Sequence, residues 1–428
     1  MSAAEKISNR DLIDLARRSP NSANFHEALV SSFRDADLKA GTAWLNDRGD
    51  ALFAIQSAAQ PSLFVDDAPS IAMTRFPGSE LWFAAMPLRT GRGHSFHYTI
   101  DGKKFGGKAD VPSFGPDSYA TPGVPEGKLS AKMVFTSKLF DGMQSNYWVY
   151  TPAQYDPKTP AALMVWNDGQ QYITRDSASI RLLNVIDNLT YRKQLPVIVY
   201  VFTSPGDATM AEGSPTYQMV KSAATASTPA ALAGAVRSVE YEILSDKYAR
   251  FLQEELLAEV QSKYNIRKDG YSRAISGLSS GAMGAFTAAW EQPDQFSRVL
   301  TWVAPFTSVR WQPGVRDGGN IYPFKIRKDQ KKNLRVWLQD GADDGENVHG
   351  SVPLQNIQMA NSLKFRGYDF HLSFGVGGHS PMQGSAELPE SMAWLWRDYD
   401  PAKTQVTYEM DEAEKSKPMF RIHIFNRD

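Results

Sequence analysis

The pentapeptide Gly277-Leu278-Ser279-Ser280-Gly281 lies between a strand-like run and a helix-like run. A turn that leads a strand directly into a helix is tight enough that side chains two positions either side of its centre would collide. Such a turn lifts the Ser279 hydroxyl out of the sheet at a helix N-terminus, where the backbone N–H of Ser280 is free to stabilise an oxyanion. We therefore predict a nucleophile elbow centred on Ser279; the alternative is a helix start rich in glycine and serine.

The chain around this turn alternates strand-like and helix-like runs between about residues 129 and 400. The predicted strands are short and apolar and lie at 162–168, 197–202, 271–279, 298–304, 334–341 and 370–376, after an antiparallel pair at 133–139 and 145–153. Strands that alternate with helices form a parallel sheet covered on both faces. The sequence therefore predicts a doubly wound α/β domain over 129–400.

A different pattern precedes this domain. Residues 42–115 contain short strand-like runs at intervals of about ten residues, separated by Gly, Pro, Asp and Asn, which is typical of a β-sandwich. Residues 1–41 show one or two helical patterns and are interpreted as a lead-in, while residues 116–128 are rich in Pro and Gly and are interpreted as a linker.

Two further segments have an uncertain pattern. Residues 208–235 are rich in Ala, Ser and Thr with little periodicity, and a loop of that length inside a compact domain is usually functional, so we expect a flap near the ligand site. The tail at 401–428 ends in FRIHIFN, which we interpret as an edge strand.

Charge and composition exclude several classes of partner. Lys and Arg number 46 and Asp and Glu 47, so the chain lacks the basic excess expected of a nucleic-acid-binding protein. No apolar run is long enough to predict a membrane span, and the N-terminus lacks the apolar core of a signal peptide. Without cysteine there is no disulfide, thiol nucleophile or thiolate metal site. The compartment stays open between cytoplasmic and periplasmic or secreted, and a homodimer is compatible with the sequence.

A serine nucleophile needs a base, and after an elbow of this kind the acid and the histidine follow the serine in the chain. The seven histidines are His26, His94, His97, His349, His371, His379 and His423. His379 lies just past the end of the last core strand, where open α/β sheets place their ligand chemistry, and it is the predicted base. His349 is the candidate for substrate contact, whereas His371 and His423 are interpreted as structural.

The acid is expected in the loop after the preceding strand, which is rich in carboxylates. Asp340 is still at the strand end, so the chain must turn at Gly341 before a carboxylate can face the imidazole. Asp344 is the predicted partner of His379, with Asp343 and Glu346 as alternatives. A second oxyanion donor is expected after an early strand, where Asp168 and Gly169 form a sharp turn; the N–H groups of Gly169 and Gln170 are the candidates, and an ordinary turn is the alternative.

Taken together, the motifs WNDGQQY, RSVEYE, ISGLSSGAMGAF, LQDGADD and GGHS resemble those of the esterase D and enterochelin-esterase-like branch of the α/β-hydrolases, over roughly residues 40–400. The resemblance implies a triad of Ser279, Asp344 and His379, an oxyanion hole at Gln170 and Ser280, and an Arg237–Glu240 pair near the pocket. That pair is equally well explained as a structural ion pair. The N-terminal domain resembles an immunoglobulin-like or carbohydrate-binding-like module, and packing onto the catalytic domain is its simpler role.

These features predict a serine esterase that acts through an acyl-enzyme and requires neither metal nor cofactor. The expected substrate is a small-molecule or glycan-linked ester, with carbohydrate-linked acyl or aromatic esters favoured over a siderophore trilactone. One reason is a set of aromatic residues able to line a cleft, most of which we nevertheless expect in the core: Trp166, Tyr172, Trp290, Trp302, Phe306 and Trp311. The alternatives are a peptidase or thioesterase and a catalytically silent binding protein with the same fold.

Overall fold

A computed structural model describes residues 7–66 and 68–419. Its described N-terminal part begins with three helices, one more than expected: α1 (Asn9–Arg18), α2 (Ala23–Ser32) and α3 (Asp35–Ala40). The hydroxyls of Ser8 and Ser22 accept hydrogen bonds from backbone N–H groups in the first turns of α1 and α2, which fixes where these helices begin. The apolar faces of all three pack against the following sheet, so this segment is part of its core.

Eight short strands come next. They are β1 (Ala43–Asp47), β2 (Asp50–Gln56), β3 (Ser62–Val65), β4 (Ile71–Ala72), β5 (Thr74–Arg75), β6 (Leu81–Pro87), β7 (Arg92–Ile100) and β8 (Lys103–Ser113). In the described chain they form two four-stranded sheets, in the orders β1-β2-β6-β5 and β4-β3-β7-β8. Apolar side chains from both sheets share one core, among them Phe53, Trp82, Phe96 and Tyr98. The N-terminal region is therefore all-β, as predicted.

The segment 116–128 crosses to the second half of the molecule. It contains a 3-10 turn at Pro116–Ser118 and leads into β9 (Lys128–Leu129), β10 (Met133–Thr136) and β11 (Gln144–Thr151). Asn188 donates from its side-chain amide to the carbonyls of Asp117 and Tyr119 at 2.9 and 2.8 Å. Side-chain amides thus hold the segment against the second half.

One large sheet organises the second half. Its further strands are β12 (Ala162–Asn167), β13 (Ile198–Gly206), β14 (Arg273–Leu278), β15 (Arg298–Trp302), β16 (Arg335–Gly341), then the separate hairpin of β17 (Glu346–Asn347) and β18 (Gly350–Ser351), and finally β19 (Asp369–Gly375). The order is β10-β11-β13-β12-β14-β15-β16-β19, and β12 to β16 and β19 run parallel. Adjacent parallel strands end at one edge, so the loops after β12, β14, β16 and β19 meet there.

Helices cover both faces of this sheet. They are α4 (Leu182–Tyr191), α5 (Pro215–Ala223), α6 (Pro229–Tyr241), α7 (Lys247–Arg250), α8 (Leu257–Lys263), α9 (Ser280–Glu291), α10 (Tyr322–Lys328), α11 (Val352–Phe365), α12 (Met382–Ala386), α13 (Leu388–Leu395) and α14 (Glu412–Ser416). A π-helical turn at Phe251–Leu256 joins α7 to α8. One apolar layer contains side chains of α6, α8, α9 and α11, and the other contains those of α4 and α13. The predicted α/β fold with a mostly parallel sheet is confirmed.

The expected loop at 208–235 is wrong. The segment contains α5 and the first part of α6, each begun by a serine or threonine cap followed by proline: Ser214 with Pro215 and Thr228 with Pro229. The cap hydroxyl accepts a backbone N–H and the proline presets the first helical φ, so composition alone misled the expectation.

The edge strand proposed for FRIHIFN, together with His423, lies outside the described residues. Among the helices of residues 7–66 and 68–419, none combines the length and apolarity that crossing a bilayer requires.

Candidate active site

The turn between β14 and α9 holds Ser279 in a strained conformation. Ser279 has φ 56° and ψ −128°, and its N–H donates to the carbonyl of Trp302 at 2.9 Å. A Cβ on Gly277 would lie 2.4 Å from the carbonyl carbon of Gly281, and a Cβ on Gly281 would lie 2.3 Å from a carboxylate oxygen of Asp168. Glycine is thus required at both positions, and at Gly281 the obstacle is the side chain of a neighbouring loop.

A continuous line of hydrogen bonds runs from this serine to a carboxylate. His379 Nε2 lies 2.7 Å from Ser279 Oγ, and His379 Nδ1 lies 2.7 Å from Asp344 Oδ1. The imidazole is 40% exposed while the Asp344 side chain is fully buried, so the imidazole is accessible and its carboxylate partner is shielded from water. Asp343 and Glu346, the alternative acids, are exposed, and the hydrogen bond to His379 Nδ1 comes from Asp344 instead.

A second carboxyl group lies behind the Asp344 carboxylate and was not predicted. Asp340 is fully buried; Gly341 N–H and the Asn356 amide each donate to one of its oxygens at 2.8 Å. Burial, and next the neighbouring carboxylate of Asp344, raise the pKa of Asp340 well above its usual range. Burial also opposes ionisation of Asp344, but hydrogen bonds from His379 and Asp340 outweigh it and lower the pKa of Asp344. Asp340 is therefore the protonated member of the pair and Asp344 the ionised one.

The loop after β12 is docked against the first turn of α9. Asp168 has a left-handed φ of 56°, and a Cβ on Gly169 would lie 2.3 Å from the carbonyl carbon of Phe202. The Asn167 amide donates to the carbonyl of Gly281 at 2.8 Å, which holds this loop beside the elbow. The predicted oxyanion donors, the N–H groups of Gln170 and Ser280, thus belong to two segments that contact each other.

Arg237 on α6 joins the same two segments. Its guanidinium binds the carboxylate of Asp168 with two hydrogen bonds of 2.7 and 2.8 Å and also donates to the carbonyl of Leu278 at 3.1 Å. Asp168 precedes Gly169 in the loop of the predicted oxyanion donor Gln170, and Leu278 precedes Ser279. One side chain therefore sets the position of both parts of the predicted oxyanion hole.

Replacing Arg237 with Met is expected to lower kcat about 100-fold, because the oxyanion donors lose their common support. Stability should fall by about 3 kcal/mol, because Asp168 is left buried and unpaired. Arg250→Met is the matched control: Arg250 forms an exposed ion pair with Glu254, so neither quantity should change measurably. Steady-state kinetics and urea unfolding measure both. An unchanged kcat in Arg237→Met would show that the ion pair does not support the oxyanion hole.

Glu240 does not pair with Arg237. Among the described residues no ion pair joins the two, and the Glu240 carboxyl instead accepts the N–H of Gly206 at 2.9 Å. Full burial raises the pKa of Glu240 to about 8, and the Gly206 hydrogen bond only partly offsets this effect. The structural ion pair considered for Arg237 and Glu240 is therefore wrong, because each side chain meets a different partner, whereas a place for both residues near the pocket stays a prediction.

Glu240→Gln is expected to make the protein relatively more stable at alkaline pH. Below pH 4.5 the carboxyl is protonated in both folded and unfolded chains, but between pH 4.5 and 8 only the unfolded chain ionises it. The wild type therefore loses stability over that range, by up to about 5 kcal/mol, whereas glutamine has nothing to ionise. Urea unfolding of both proteins at pH 5 and pH 9 measures the difference between their free energies of unfolding. A difference that is the same at both pH values would contradict the buried, protonated state.

His349, the candidate for substrate contact, lies in the exposed hairpin of β17 and β18. Its backbone carbonyl accepts the N–H and the hydroxyl of Ser308, both at 2.9 Å. A residue that was missed, Glu242, is buried beside the elbow, where it accepts hydrogen bonds from the hydroxyls of Ser280 and Ser238. Only the motif RSVEYE pointed to it.

The predicted aromatic cleft is mostly core. Five of its six members are fully buried in the layers beside the sheet: Trp166, Tyr172, Trp290, Trp302 and Phe306. Trp311 alone of the six is exposed, to 50%. The segments described here contain no cluster of three or more His, Asp or Glu side chains arranged to hold a metal ion.

Comparisons with known proteins agree with this architecture. A family model described as "Putative esterase" matches residues 142–394. The enterobactin esterase FES of Shigella flexneri is similar over 86% of this chain and 100% of its own, with 16% identity and a TM-score of 0.51. Ferric enterobactin esterase of Salmonella typhimurium is similar over 83% and 96%, with 16% identity and a TM-score of 0.50. No curated protein matches. At such identities the structural likeness shows the fold alone.

Proposed function

The chain belongs to the esterase family and is a carboxylic ester hydrolase, and from that premise we propose that it acts through an acyl-enzyme on Ser279. The observation that carries the proposal is the unbroken line of two 2.7 Å hydrogen bonds from Ser279 through His379 to Asp344. His379 takes the serine proton as Oγ attacks the ester carbonyl, and returns it to the leaving alcohol. A water activated by the same imidazole then releases the acid.

Asp344 has two roles in this scheme. Its carboxylate accepts the Nδ1–H of His379, which leaves the Nε2 lone pair directed at the serine, and its negative charge stabilises the imidazolium that forms. Protonated Asp340 supports it from behind by donating to the same carboxylate.

The developing oxyanion is stabilised by the N–H groups of Gln170 and Ser280. Ser280 is the first residue of α9, so its N–H has no carbonyl partner within the helix, and the positive end of the helix dipole favours negative charge there. This chemistry requires no metal or cofactor.

The proposed substrate is a carbohydrate-linked acyl ester or an aromatic ester. The loop after β15 carries the exposed Trp311, and the hairpin after β16 carries Val348, which is 92% exposed. Ser308 joins the loop to the hairpin through the His349 carbonyl, at the sheet edge where Ser279 also lies. This apolar rim supports an aromatic ring or a sugar face as the group that stacks beside the serine.

A siderophore trilactone is the second candidate. The observation that favours it is the likeness to enterobactin esterases, which extends over both halves of the chain and not only the hydrolase half. Arg310, beside Trp311, is the cation that such an acidic, catechol-bearing substrate would need nearby.

A panel of esters run on purified protein tests these proposals: p-nitrophenyl acetate, acetylated xylan, a feruloyl sugar and a catecholate trilactone. The favoured substrate class predicts the highest kcat/KM for the feruloyl or acetyl sugar. A preference for the trilactone would favour the second candidate. Turnover of none of them would instead favour a silent binding protein.

A further inference from the structure

A bulge in the N-terminal sandwich directs one carboxylate out of that domain. In the ladder between β7 and β8, His94 pairs with Val111 and Phe96 pairs with Lys108, so two residues of β8, Ala109 and Asp110, oppose a single residue of β7. Asp110 there has a left-handed φ of 65°. Bulges of this kind redirect a side chain, and aspartate is one of the few residues that tolerates this backbone conformation.

The redirected carboxylate reaches the loop that carries the histidine of the site. Ser380, directly after His379, donates its hydroxyl to Asp110 Oδ2. A Cβ on Gly377 would lie 2.7 Å from Asp110 Oδ1, so the loop passes directly against the carboxylate. Asp110 is 93% buried although it belongs to the other half of the molecule.

The loop after β16, which carries Asp344, contacts the other side of the histidine loop. The N–H of Asp343 donates to the Gly377 carbonyl at 3.1 Å, and a Cβ on Gly341 would lie 2.2 Å from the Gly377 carbonyl oxygen. His379 is therefore carried by a short segment clamped between the loop that holds Asp344 and the bulge of the sandwich. Of these contacts to the histidine loop, the one from Asp110 comes from the N-terminal half.

We propose that Asp110 is a positioning residue for His379, so that the N-terminal sandwich is part of the apparatus that aligns the base; this inference rests on the proposed triad. Asp110 touches neither substrate nor the reacting atoms. It acts through Ser380, whose hydrogen bond restricts the loop and keeps Nε2 within reach of Ser279. Small displacements of a base cost large factors in rate, so the contact should affect kcat more than KM.

The test uses the full chain and p-nitrophenyl acetate. Asp110→Ala and Ser380→Ala are each expected to lower kcat about 10- to 100-fold with KM changed less than about twofold. The double variant should lose no more than either single one, because both remove the same hydrogen bond. Asp110→Asn, whose amide oxygen still accepts from Ser380, should recover kcat to within about threefold of the wild type.

The matched control is Asp117→Ala. Asp117, in the crossing segment 116–128, also contacts the second half, through Arg192 at 2.6 Å. Arg192 directly follows α4 and does not belong to the histidine loop, so the kcat of Asp117→Ala should stay at the wild-type value. Unchanged kcat in Ser380→Ala, or multiplicative losses in the double variant, would overturn the inference even if Asp110→Ala does not fold. A wild type that hydrolyses no ester would refute the proposed function instead.

Discussion

Replacing Ser279 with Ala should lower kcat/KM for p-nitrophenyl acetate at least about 10⁴-fold while leaving the fold intact. Alanine removes the hydroxyl oxygen that lies 2.7 Å from His379 Nε2, so no acyl-enzyme can form. The residual rate would come from the oxyanion donors and from water activated by the free imidazole.

The stability of Ser279→Ala serves as the internal control. Alanine at this position retains the strained φ of 56°, so a large gain in stability is not expected and the melting temperature should change by only a few degrees. Full activity in a folded Ser279→Ala protein would exclude this serine as the nucleophile.

Replacing Asp344 with Asn should lower kcat by about 10⁴-fold. The asparagine amide would donate to His379 Nδ1 where the carboxylate now accepts. The imidazole would then carry its proton on Nε2, facing Ser279, and would be unable to take the serine proton. The geometry of the site would hardly change, because the two side chains have the same shape.

The neighbouring carboxylates provide matched controls. Asp343→Asn and Glu346→Gln change carboxylates of the same loop, but both of these side chains are exposed, and the hydrogen bond to the imidazole comes from Asp344. Both should retain kcat within about twofold. If Asp343→Asn lost activity and Asp344→Asn did not, the acid would be wrongly assigned.

Local patterns were sufficient to predict the fold. Each strand at the centre of the sheet is a short apolar run, and Ser279, Asp344 and His379 lie in the segments that follow three of these strands. Because parallel strands end at one edge, predicting the strands was enough to predict which loops meet. The loop expected at 208–235 was mispredicted although the helix-start signals at Ser214-Pro215 and Thr228-Pro229 were present in the sequence.

Contacts between distant segments could not be predicted in this way. Arg237 and Asp168 are 69 positions apart, and Ser380 and Asp110 are 270 apart, so no periodicity or spacing links them. The apolar runs that correctly predicted the strands of the sheet also contain Trp166 and Trp302. Both side chains are buried in the core, so neither lines the predicted cleft. The sequence placed Asp340 at the end of a strand and indicated nothing about its partners. Its buried position beside Asp344 depends on α11, whose Asn356 donates to its carboxyl group.

The central claim, that His379 and Asp344 activate Ser279 as the nucleophile, is tested most directly by covalent labelling with a fluorophosphonate followed by mass spectrometry. We predict one adduct per chain, on the peptide that contains Ser279, and no adduct in His379→Ala within the time that labels the wild type completely. Labelling of another residue, or none in a wild type that hydrolyses esters, would contradict the account.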